Sequence, residues 1–263
     1  MKNGATVASS NFLHAISVLS MAIAAATCSA QAPPAGTAIP IAFAKTIKTT
    51  KAKAGDPVVA KTTQVVRLQN GESLPKGTVL TGHVVQAIPF HFDDADYAVQ
   101  QPSVLAIRFD SLRARGTQTA LRVSVRVLAN ANQARDAVTP HGIDESDHLG
   151  TMILVGGAHY SPVSKQVLSG NDDDIVGYNR SQGVFGRLLP GTYADRGGRL
   201  HCDGTSTEQS VGIFSPDACG LYGFGDISLS SGGGDGAFRL ESRHRSVTLY
   251  AGSAALLQVT PLS

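Results

Sequence analysis

The chain has 263 residues, with 22 Lys and Arg against 20 Asp and Glu, a formal net charge of +2 and three cysteines. A balance this close to neutral excludes the strong electrostatic pull of nucleic-acid or acidic-membrane binders. The length allows one sizeable β core.

The first residues read as a targeting segment. Lys2 is the only charge before Lys45, and an apolar stretch runs from Phe12 to Ala26. Ala30-Gln31-Ala32 then supplies the small-x-small pattern of a cleavage site. The apolar run is about 15 residues, short of the roughly 20 needed to span a membrane. A secretory signal peptide over residues 1–32 is expected. Cys28 leaves with it, and no later apolar stretch is long enough for a spanning helix. The two remaining cysteines, Cys202 and Cys219, read as a disulfide in an exported chain.

Residues 33–40, PPAGTAIP, read as an extended linker, with strands beginning near Ile41. Thr46, Ile47, Thr49 and Thr50 favour a β surface. Residues 54–85, AGDPVVAKTTQVVRLQNGESLPKGTVLTGHVV, read as strand, turn, stiff corner, strand. The corner is Pro75-Lys76-Gly77, in which Pro presets φ and Gly tolerates a positive φ. In 103–113, Leu105, Ile107 and Phe109 alternate with Ala106, Arg108 and Asp110. In 117–128, Leu121, Val123, Val125 and Val127 alternate with Arg122, Ser124 and Arg126. Period-two alternation predicts half-buried antiparallel strands, joined at Arg115-Gly116-Thr117 by a short hairpin connection. No convincing amphipathic helix follows.

Residues 131–221 carry short apolar patches broken by Gly, Asp, Asn and Ser. They predict an irregular insertion tied by Cys202–Cys219. Strand patterns return over 226–259. Leu74-Pro-Lys-Gly77-Thr78 reaches Val84 seven residues after its glycine, and Leu249-Tyr-Ala-Gly252-Ser253 reaches Val259 in the same way. The shared corner places Gly77 and Gly252 at equivalent positions. The expected architecture is all-β. It is a small antiparallel β-barrel built from both chain ends, 41–130 and 222–263, with the insertion 131–221 within one domain, 41–263.

Three features carry a family likeness: Asp56-Pro57-Val58-Val59-Ala60, the corner from Leu74 to Gly82, and the strand around Val104–Leu112. This stretch, with the closing residues Leu249–Val259, resembles the C-terminal β-barrel of the TrbI-like scaffold subunit of type IV secretion channels. The resemblance covers about a third of the chain, and its motif is structural. It implies a barrel and an envelope location. That family also carries a cytoplasmic tail, a transmembrane helix, a Pro-rich arm and a helical antenna, which this chain lacks. Small exported bacterial proteins of unknown function with the same LPKGT corner look similar over a longer pattern, and imply no activity.

No GxSxG, HExxH, CxxC or Walker pattern occurs. The best metal candidate is His141, Asp144, Asp147 and His148, where imidazoles and carboxylates crowd into eight residues. His159 could add a ligand, though a solvated polar loop explains the same residues. Asp93, Asp94 and Asp96, and Asp172 to Asp174, are oxygen-rich loops that calcium would accept and that ordinary surface loops also explain. His83 reads as a packed or rim histidine.

The favoured reading is a non-catalytic exported envelope or secreted β-barrel protein with a binding or structural role. No cofactor is required beyond a conceivable divalent metal. The partner is an unknown envelope protein or polymer, not nucleic acid. The alternatives are a secreted metal-dependent hydrolase using His141–His148 and a type IV secretion accessory protein.

Overall fold

A computed structural model of the chain describes residues 32–94, 96, 99–142, 150–195, 198–231 and 236–261, with Met1 and Gly4. Nearly all of the signal-peptide stretch lies outside these residues, as do Asp144, Asp147 and His148.

The first part of the chain forms β1 (Ala38–Phe43), β2 (Ile47–Lys48), β3 (Pro57–Thr62), β4 (Val66–Arg67), β5 (Ser73–Leu74), β6 (Val79–Ile88), β7 (Ser103–Ala114), β8 (Thr117–Ala120) and β9 (Val123–Ala129). A short helix, α1 (Ala131–Asp136), follows. The middle holds β10 (Met152–Ile153), β11 (His159–Tyr160), β12 (Gln166–Leu168), β13 (Ile175–Arg180), β14 (Gly183–Arg187), β15 (Gly191–Asp195), β16 (Gly198–Cys202) and β17 (Glu208–Ser210). The chain closes with β18 (Gly220–Tyr222), β19 (Ser228–Ser231), β20 (Phe238–Ser242), β21 (Thr248–Leu249) and β22 (Ala254–Val259).

The main sheet has the order β18-β9-β22-β1-β3-β6-β7-β20-β19, with β8 beside β7. Both chain ends meet in its middle, because β22 lies between β1 and β9. The sheet is mixed, since β18 runs parallel to β9. Its inner face buries Ile41, Phe43, Leu80, Ile107, Phe109, Leu240 and Leu257 in one core. The expected closed barrel is not formed: among the described residues no ladder joins β19 to β18 or β9. The sheet curls instead until its ends approach, and the Val125 N–H donates to Ser231 Oγ at 2.7 Å.

One corner, used four times, starts the central strands. In 34–37, 53–56, 75–78 and 250–253 the fourth residue's N–H closes onto the first residue's carbonyl, at 3.0–3.2 Å. The third residue is Gly36, Gly55, Gly77 or Gly252, with φ between +84° and +90°. A type II turn demands a positive φ there, which only glycine adopts at little cost. Pro75 occupies the first place of its turn, so it stiffens the entry rather than setting the second residue's φ. The corners also lock neighbouring strands. The Gly252 N–H donates to Phe43 O, and the Phe43 N–H donates to Ser253 O, both at 2.9 Å. Gly36 and Thr37 do the same with Val259 at the other end of that pair, as Gly77 and Thr78 do with Thr62, and Gly55 and Asp56 with Val84. The β1/β22 and β3/β6 pairs are thus capped reciprocally at both ends.

β1 begins at Ala38, inside the stretch expected to be a linker. The expected strand over 117–128 breaks at Leu121-Arg122. β8 stays with β7 through the two-residue turn Arg115-Gly116, both at positive φ, while β9 crosses to β22. The described residues of the 131–221 region are not irregular. They contain an antiparallel sheet, β10-β11-β12-β13-β14-β17, and the β15-β16 ribbon. Its apolar side covers the outer face of the main sheet. Ala38, Val127, Ala129, Ala254 and Leu256 point outward, yet are buried against Leu154, Val167, Val184 and Phe214.

Arg126 fastens this layer. It was expected on a polar face but is 2% exposed. Its Nε donates to Ala218 O (3.0 Å), Nη1 to Asp203 O (2.5 Å), and Nη2 to Leu189 O (2.5 Å) and Pro216 O (3.2 Å). Burial lowers its pKa, opposed by the nearby Asp203, Asp217 and Tyr222. The planar guanidinium suits this task because its five N–H groups fan out in fixed directions. Cys202 and Cys219 are disulfide-bonded, with Cα atoms 6.0 Å apart, next to two of those carbonyls. On the other flank the Gln64 carboxamide exchanges two 2.9 Å hydrogen bonds with the Val184 backbone, like a ladder rung. Gln209 Oε1 accepts from the Ala38 N–H at 3.0 Å. Arg67 lies over the Phe185 ring at 4.1 Å and pairs with Glu208 at 3.2 Å.

Candidate functional site

The most built-up polar site lies where β20 ends and the chain turns toward β21. Ser242 Oγ accepts the N–H groups of His244 (3.2 Å) and Arg245 (3.3 Å), which fixes the turn. The same hydroxyl donates to Asp226 Oδ2 at 2.6 Å. Asp226 Oδ1 in turn accepts from Arg245 Nε at 2.9 Å, and Arg245 Nη2 donates to Phe224 O at 3.1 Å. Burial pushes the Asp226 carboxyl up. The hydrogen bonds from Ser242, its own backbone and Arg245, with the Arg245 charge, outweigh that and hold it below the usual carboxylate value. A chain of partners therefore holds one guanidinium in place at the edge of a cavity.

The cavity measures about 570 Å³, within the roughly 300–1,000 Å³ range of small-molecule sites. Phe224, Ile227, Ala131 and Ala251 give it apolar surface, and Asn132, Arg245, Ser246, Thr248 and Tyr250 give it polar groups. Asn130 forms part of the wall. Its Oδ1 caps α1 by accepting from the Asn132 and Gln133 N–H groups, and its Nδ2 donates to Gly223 O. Ser246 Oγ accepts the Phe90 N–H at 3.0 Å, which orients that hydroxyl. Tyr250, the first residue of the Gly252 corner, is 54% exposed.

A second cavity of about 450 Å³ lies between α1, β10 and Tyr222. His141 lines it with Gln133 and Asp136, and its backbone pairs with Thr151 at 2.8 and 3.0 Å. Of the expected metal set only His141 is described. Among the described residues no group of three or more His, Cys, Asp or Glu converges. His159 Nε2 lies 3.7 Å from Asp173 Oδ1.

His83 is on the outer surface of β6. Its Nδ1 lies 2.6 Å from Asp110 Oδ2, and Arg108 Nε donates to Asp110 Oδ1 at 3.1 Å. A bulge opposite Gly82 turns Asp110 toward them. A Cβ on Gly82 would lie 2.0 Å from Arg108 O, so the close strand approach needs glycine there. This trio lines neither cavity.

Arg245 and Asp226 carry no motif, and only the tertiary fold pairs them. Asn130 was findable, because Asn followed three residues later by Gln is a helix-start signature. Comparison with protein-family models, with curated proteins and with solved structures finds no match.

Proposed function

We infer that the protein is an exported, non-catalytic binding module of the cell envelope, with the Arg245 cavity as its binding site. The observation that carries this is the composition of the cavity wall. It offers a prearranged guanidinium, an amide and hydroxyls, but no His, Cys, Asp or Glu among the described lining residues. A wall of this kind can hold and orient a ligand, but it has no carboxylate or imidazole to move a proton. The disulfide fits an oxidising compartment, and export rests on the apolar stretch with Ala30-Gln31-Ala32. Among the described residues no helix is long and apolar enough to cross a membrane.

The second reading, a metal-dependent hydrolase, is favoured by one observation: His141 lines a cavity with Asp136 and Tyr222. A type IV secretion accessory role is carried only by the resemblance of residues 54–127 and 249–259.

N-terminal sequencing and elemental analysis of protein from the producing cell, with turnover assays on ester, peptide and glycoside substrates, separate these readings. The binding-module reading expects a chain starting at Pro33, no stoichiometric metal and no turnover. One equivalent of metal, with hydrolysis abolished by His141→Ala, would overturn it.

A further inference from the structure

We propose that the Arg245 cavity binds one unit of a neutral saccharide, with its ring laid against Tyr250. This rests on the reading of the protein as a binding module and names that module's ligand class.

The charge of the site comes first. Arg245 is the one cation among the described lining residues, and Asp226 sits 2.9 Å from its Nε. An anion would approach a guanidinium already paired with a carboxylate. The site is thus close to electrically neutral and suits a neutral ligand better than a phosphate or carboxylate.

The distribution of polar groups comes second. Arg245 Nη1, Asn132 Nδ2 and the hydroxyls of Thr248 and Tyr250 have no hydrogen-bond partner among the described residues. Ser246 is held by Phe90 but keeps its own O–H to give. The wall therefore mixes fixed donors with hydroxyls that both donate and accept. A sugar presents the matching set, because each of its hydroxyls also does both. A purely apolar ligand would leave these groups without partners, at a cost.

The aromatic ring comes third. Tyr250 stands exposed at the rim of a cavity that also has apolar surface from Phe224 and Ile227. The negative face of an aromatic ring attracts weakly positive C–H groups, and a pyranose carries these on one face with hydroxyls around its edge. One exposed ring beside a polar wall fits that two-sided shape. The Ser242–Asp226–Arg245 chain fixes the guanidinium before binding, which reduces the ordering cost a ligand must meet.

The test is a ¹⁵N–¹H NMR titration of the oxidised full-length mature protein. The probes are chitobiose and maltose, both neutral, and digalacturonate, which is anionic. The expected result is saturable shifts from a neutral disaccharide, clustered at 223–227 and 245–251. Tyr250→Ala should weaken that binding by about tenfold or more without changing the melting temperature, since the side chain is exposed. Arg245→Lys should weaken it too, because an ammonium cannot keep the same fork of hydrogen bonds. No saturable shift with either neutral probe overturns the proposal. So does binding of digalacturonate alone, or binding that Tyr250→Ala leaves intact. An exported, non-catalytic protein that takes up no saccharide would fail here and leave the binding-module reading standing.

Discussion

Thr37, Thr78 and Ser253 hold the same place in three of the four corners but differ in their bonding. Thr37 Oγ1 donates to Pro34 O at 2.7 Å, and Thr78 Oγ1 to Pro75 O at 2.8 Å. Ser253 Oγ is buried with no partner among the described residues. Thr78→Ala should therefore cost about 1 kcal/mol, while Ser253→Ala should cost close to nothing or stabilise. Urea unfolding of the two variants checks this, and equal losses would contradict it. Asp226 supplies a second residue-level expectation. Its folded pKa lies below the unfolded value, which is about 3.9 for an Asp. Its contribution is therefore fully present above that value and is lost as pH falls through the folded pKa. Wild type should lose melting temperature on acidification below about pH 4. Asp226→Asn should start lower at neutral pH and fall less steeply there. Parallel curves would show that Asp226 is not held as described.

At the level of elements, the last strand is interior. β22 pairs with β1 on one side and β9 on the other, and it sends Leu257 and Val259 inward and Leu256 outward into the second core. A 33–248 fragment loses these side chains together with Leu249. Burying such residues stabilises by roughly 1.5–3 kcal/mol each, against a typical total of about 5–15 kcal/mol. The fragment should show no cooperative unfolding transition, and a soluble, cooperatively folding one would contradict the shared core. The inward face of β7 was legible in the sequence: Leu105, Ile107 and Phe109 do point inward together, although Val104 and Ala106 on its other face are buried as well. The signal failed in β9, where Arg126 and Val127 are buried side by side. It failed again in β10, β11, β12 and β17, which are too short to show a period. The Gly77 and Gly252 corners were legible as a pair. The matching ones at Gly36 and Gly55 were not, since only two loosely similar residues flank each glycine. The cavity was the least legible part, because Asn132, Phe224 and Arg245 come from α1 and two separate connections.

Over the whole molecule, one curled sheet and one covering layer share a second core, with Arg126 as the main polar fastening. Arg126→Met would take a donor from four carbonyls, of which Pro216 O keeps the Leu189 N–H, and each buried group left unsatisfied costs about 1–3 kcal/mol. A loss of about 1–3 kcal/mol is expected, even with Cys202–Cys219 intact. Lysine in its place should rescue only partly, since three N–H groups on one atom cannot span the same carbonyls. Tyr222 and Tyr250 reach the two cavities from strands or turns fixed by this packing, so the shape of both sites depends on the layers staying together. Native-state hydrogen exchange read by mass spectrometry measures that directly. If the layers form one cooperative body, backbone amides of β13 and β14 will exchange in wild type through the same global opening as those of β1 and β22. Exchange of β13 and β14 at a much lower free energy, with β1 and β22 still protected, would contradict it.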